Sequence, residues 1–69
     1  MTNPHCIRTQ GTIVARPGTT RLFAESPKHY YAVGNADRVR LQIGDSVEFE
    51  ATIGDQFATV TAVNGRRVP

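Results

Sequence analysis

The sequence predicts a single all-β domain closed into a small barrel, and three observations carry that expectation. Residues 46–53 alternate strictly, with Val47, Phe49, Ala51 and Ile53 on one side of a pleat and Glu48, Glu50 and Thr52 on the other. No stretch has convincing helical periodicity; Thr, Val, Ile, Phe and Tyr cluster in short runs separated by Gly, Pro and Asn. The chain has 69 residues and one cysteine, so no internal disulfide can staple it. A domain of this length buries only about 60% of its unfolded surface. Closing the sheet supplies a compact core and removes the exposed edges.

The first strand is expected over 7–16. Ile7, Thr9, Gly11, Ile13 and Ala15 share one face; Arg8, Gln10, Thr12, Val14 and Arg16 share the other. Gly11 inside the run predicts a bulge or sharp bend. Pro17-Gly18 is a turn, because Pro sets φ and Gly tolerates positive φ. The second strand follows at 20–25, with Leu22 and Ala24 opposite Arg21, Phe23 and Glu25. Ser26-Pro27-Lys28 is a hairpin loop, and the third strand spans 29–33.

Residues 34–41 form a longer connection, with one helical or 3₁₀ turn expected after Asn35 as its cap and Val39 and Leu41 plugging the barrel end. The fourth strand runs over 46–53, Gly54-Asp55 turns the chain, and the fifth runs over 56–63 with Ala58, Val60 and Ala62 on one side. Five strands with a long link between the third and fourth is the order of a five-stranded OB-type Greek-key barrel. The expected division is a flexible N-terminus (1–6), the barrel (7–63) and a basic C-terminal tail (64–69).

Several function classes drop out. No run approaches the ~20 apolar residues of a membrane helix. Residues 1–4 lack the basic and apolar regions of a signal peptide, and a lone cysteine suits a reducing compartment; the expectation is a cytoplasmic protein. His5, Cys6 and His29 are too few and too scattered for a metal site. Glu48 and Glu50 share a strand face without a histidine or nucleophile, and the glycines are spaced as turns, not as a phosphate loop. Neither a catalytic constellation nor a cofactor is expected.

The charge is unevenly spread. Residues 1–40 carry six basic groups (Arg8, Arg16, Arg21, Lys28, Arg38, Arg40) and two acids; residues 41–65 carry four acids and no Lys or Arg. If the first three strands form one side of the barrel, that side is positive and suits a polyanion. With Leu22 and Ala24 inward, Phe23 faces solvent, where a large ring is costly unless used. The competing register buries Phe23. In the next strand Tyr30 and Tyr31 point to opposite faces. A buried Val33 would take Tyr31 inward and leave Tyr30 beside Phe23, but the sequence leaves this choice open. An outward aromatic pair flanked by Arg21, Lys28 and His29 would stack bases and meet phosphates.

The segment Leu41-Gln42-Ile43-Gly44-Asp45-Ser46-Val47-Glu48-Phe49 resembles the "L-x-x-G-D-x-V-x-F" passage of the cold-shock domain, and Gly11-Thr12-Ile13-Val14 resembles its opening "G-x-V-K". In that alignment Arg21-Leu22-Phe23-Ala24 falls on the family's "F-G-F-I" motif and His29-Tyr30-Tyr31-Ala32 on its "V-F-V-H" motif. The resemblance implies base stacking at Phe23 and Tyr30. Arg21, Ala32 and Ala15 stand where the family has Phe, His and Trp. Ile7 to Val14, and Arg40-Leu41 through Val47, are also similar to bacterial translation initiation factor one. These likenesses imply a non-catalytic binder of single-stranded RNA or DNA, and the charge distribution adds Arg8, Arg16 and Arg38 as further phosphate contacts. The alternative is an interaction module that docks a protein of the transcription or translation machinery.

Overall fold

In a computed structural model, residues 6–52, 54 and 56–68 are described. Residues 1–5 of the expected flexible N-terminus, the strand end at Ile53 and the turn residue Asp55 lie outside them. The strands are β1 (Cys6–Ala15), β2 (Leu22–Glu25), β3 (Tyr30–Val33), β4 (Ser46–Thr52), β5 (Phe57–Val63) and β6 (Arg66–Arg67). Among the described residues there is no helix.

β1, β2 and β3 form an antiparallel meander, β1 also pairs with β4, and β4 pairs with β5. The sheet closes through β3 and β5, which run parallel with Ala32 opposite Phe57 and Val33 opposite Ala58. Ala32 N–H donates to the Gln56 carbonyl at 3.0 Å and Gly34 N–H to the Ala58 carbonyl at 2.8 Å. This is the closed five-stranded barrel, in the OB-type strand order, that the sequence predicts.

β1 serves both halves of the barrel: its first seven residues pair with β4, its last four with β2, and Thr12 with both. Gly11 sits just before that switch. A Cβ there would lie 2.3 Å from the Glu25 carbonyl oxygen and 2.9 Å from the Phe49 ring. The glycine therefore permits a close crossing of backbone and core. Pairing with Val47 continues through it, so it marks a bend and not a bulge.

The core contains Ile13, Ala24, Phe49 and Val60, all fully buried, with Tyr31, Val33, Val47, Ala51 and Ala58 around them. Leu22, Leu41 and Val63 pack against it. A bulge falls in β5, not in β1: Phe49 opposes Val60 while Glu48 opposes Ala62, leaving Thr61 as the extra residue. Its hydroxyl donates to the Glu48 carbonyl at 3.1 Å. The bulge reverses the alternation. Val63 turns inward opposite Val47, and Ala62, expected on the inner side, goes outward with Glu48.

Three further expectations change. The 34–41 connection forms no helix but keeps one 3₁₀-type turn bond, from Arg38 N–H to the Asn35 carbonyl at 3.0 Å, while the Asn35 side chain clamps β5 instead of capping. Its amide donates to the Val60 carbonyl and accepts from the Val60 N–H, both at 3.0 Å. The basic tail is partly ordered: Arg66 and Arg67 pair with Val63 and Ala62 as β6. Cys6, placed in the flexible N-terminus by the sequence, belongs to β1 opposite Thr52.

Gly44-Asp45 is a junction. Gly44, at φ 96°, donates to the Ile13 carbonyl, and Ile13 N–H donates to the Asp45 carbonyl. The Asp45 carboxylate accepts from Gln42 N–H at 2.9 Å and from the Asn64 amide at 3.3 Å. The passage aims the chain into β4 and ties it to β1 and the β5–β6 turn.

Candidate nucleic-acid interface

Register assembles the outward face. Val14 opposes Phe23, Phe23 opposes Ala32, and Ala32 opposes Phe57. Because their sequence neighbours Ile13, Ala24, Val33 and Ala58 fill the core cluster, this row points away from it, with Phe57 exposed, Val14 and Phe23 half-buried and Ala32 itself covered. It crosses β1, β2, β3 and β5 as one apolar band on the barrel's outside.

Tyr30 lies diagonally across from Phe23, and their rings stack with centroids 5.0 Å apart and planes 9° from parallel. The Arg16 guanidinium lies over the Tyr30 ring, 5.1 Å from its centroid. Arg21 lies over Phe57 at 5.2 Å. Tyr30 is 37% exposed and Phe57 47%. Two cation–aromatic units thus sit side by side, with Ala32 between Phe23 and Phe57. Lys28 is exposed in the adjoining β2–β3 loop, where Ser26 and His29 bond across the turn. Glu25, opposite Tyr30, is the acid of this face.

Four of the proposed contacts lie elsewhere. Tyr31 is a core residue, 9% exposed and edge-on to Phe49 at 6.2 Å; strict alternation with Val33 takes it inward, so it is no platform. His29 has the parity of Tyr31, is half-buried and stacks on it at 6.2 Å. Arg8 stands opposite Glu50 and is bonded to it, Nε to carboxylate at 2.8 Å. That bond and the Glu50 charge hold the guanidinium above its ordinary pKa. Arg38 lies in the 34–41 connection, beside Thr61 and Arg67 and away from the aromatic band. The expected split into a positive and a negative side is therefore incomplete, because pairing of β1 with β4 places Arg8 among acids.

Phe57 is the residue that sequence reasoning missed. Its signal was present: with Ala58 and Val60 inward, alternation puts Phe57 outward. Only the β3–β5 pairing sets it in line with Phe23. Among the described residues no three His, Cys, Asp or Glu side chains group as a metal site, and no helix is long and apolar enough to cross a membrane.

Compared with protein-family models, curated proteins and solved structures, the chain matches none of them.

Proposed function

We propose that this protein binds single-stranded nucleic acid, RNA or DNA, without catalysis, on the outward face of β1, β2, β3 and β5. One observation carries the reading: the Phe23–Tyr30 stack with Arg16 over it, held on the solvent side of a sheet whose core is complete without those rings. Large rings left outside the core forgo burial, and a base that stacks on them recovers it. Each stacked base contributes roughly 1–3 kcal/mol. Phe57 offers a second platform two strand spacings from Phe23, roughly 10 Å across the sheet. Arg16, Arg21 and Lys28 meet the phosphates, and the attraction weakens with salt. A cytoplasmic location accompanies this reading, resting on the single cysteine.

The experiment is a titration of a labelled mixed-sequence oligonucleotide into the wild-type chain and Phe23→Ala, at low and moderate salt. Binding at low salt is expected, with Phe23→Ala weaker by about 5- to 150-fold, the equivalent of one stacked base. Absence of binding at low salt sinks the proposal. Equal binding by Phe23→Ala leaves phosphate attraction but removes stacking. The second reading, a module docking a transcription or translation protein, is favoured by the mutual stacking of Phe23 and Tyr30, which occupies one face of each ring.

A further inference from the structure

Half of the chain's eight basic residues are gathered beside the C-terminal half of β5, on the edge opposite β4 that also carries the β3 seam. Arg40, Arg66 and Arg67 line a groove of about 540 Å³ together with Val39, Val63 and Val68. A second groove of about 340 Å³, lined by Arg38, Thr59 and Thr61, shares Val39, Arg67 and Val68 with the first. The two are one continuous trough between the 34–41 connection and the β5–β6 hairpin. No Asp or Glu lines either part. None of the four arginines makes an ion pair among the described residues, whereas Arg8 does. The floor is supplied by valines, so the guanidinium groups lie beside low-dielectric surface, where their attraction for an anion is screened less than in open water.

The trough joins the aromatic band along β5. Phe57 and Thr59 line a common hollow with Glu50, whose charge is paired with Arg8, and Thr59 lines the trough. From Phe57 to Thr61 is four residues of strand, roughly 13 Å. A chain of phosphates leaving the Phe57–Arg21 platform along β5 therefore arrives between Arg38 and Arg67.

We propose that this arginine trough holds the sugar-phosphate backbone of the same single strand that stacks on Phe23, Tyr30 and Phe57. The inference rests on the nucleic-acid reading and extends it: bases are held on one face of the barrel and the trailing phosphates on the next. The trough is indifferent to sequence, because guanidinium groups over valine meet phosphate and no base edge. It makes affinity depend on strand length.

The test compares a 4-nucleotide and a 14-nucleotide mixed-sequence oligonucleotide with the wild-type chain, Phe23→Ala, and the double variant Arg38→Gln/Arg67→Gln. Both arginines are exposed, so the double variant should keep its fold, which its thermal unfolding checks. The double variant should bind the short strand within about twofold of wild type and the long strand about tenfold more weakly, as expected for two lost phosphate contacts. Its salt slope on the long strand should flatten by about 1.4. Phe23→Ala should weaken both lengths. If the double variant loses no more on the long strand than on the short, the trough proposal is overturned while the stacking function stands. If wild type binds neither strand, both fall. Tighter, arginine-dependent binding of an oligo-glutamate peptide would reassign the trough to an acidic protein segment.

Discussion

Tyr30 and Tyr31 are neighbours of one residue type with opposite fates, set by the pleat. Tyr31 fills the core against Phe49; Tyr30 stacks on Phe23 outside it. Their alanine variants should separate stability from binding. Tyr31→Ala removes a buried ring at a cost of about 3–5 kcal/mol, against a total of about 3–10 kcal/mol for a domain of this length. Its urea midpoint at room temperature should fall far below that of wild type. Tyr30→Ala should unfold within about 1 kcal/mol of wild type and lose oligonucleotide affinity. Gly11→Ala should also destabilise, by about 3 kcal/mol or more, because its methyl group meets a carbonyl oxygen that cannot move without shifting β2. A midpoint for Gly11→Ala equal to wild type would overturn that account. The inward Tyr31 follows from alternation once Val33 is buried. The reason for Gly11 was only half legible: the sequence marks a special backbone there, but Glu25 and Phe49 come to it from distant parts of the chain.

The strands themselves were legible because each is a run of period two between turn residues, and observed limits differ from expected ones mainly by a residue or two at the ends. What escaped are the features in which one element acts on another. Asn35 reads as a helix cap, since asparagine is among the residues most favoured at that position. Its amide instead completes both hydrogen bonds of Val60, a residue 25 positions away. Asn35→Ala should cost about 1–3 kcal/mol by leaving those backbone groups unpaired. Hydrogen exchange at the Val60 amide should rise beyond what global destabilisation explains. The bulge at Thr61 was equally hidden, since Thr-Val-Thr-Ala-Val continues the alternation without a break. Only the pairing with β4 shows that it slips.

At the scale of the whole molecule, charge is arranged by topology and not by position in the chain. The first forty residues are basic, yet Arg8 is spent on Glu50, and Arg38 and Arg40 join Arg66 and Arg67 from the other end. Arg16, Arg21 and Lys28 alone remain by the aromatic band. A short strand bound there should show a salt slope of about −2, three contacts at roughly 0.7 each. Arg8→Gln should leave that slope unchanged, a contrast that fluorescence titration over a salt series reads directly.

The all-β class, the strands and the turn chemistry of Gly44-Asp45 could be read from the chain alone, because each depends on residues close together in it; the register that turns Phe23 outward could not. The tertiary structure alone decided which outward residues meet. Parallel closure of β3 on β5 placed Phe57 in line with Phe23, and the β5–β6 hairpin brought Arg66 and Arg67 to Arg38 and Arg40. Alternation has a period of two residues and carries no record of partner or register. Those are settled by burial of the common core around Phe49, Ile13 and Val60, a property of the closed barrel as a whole.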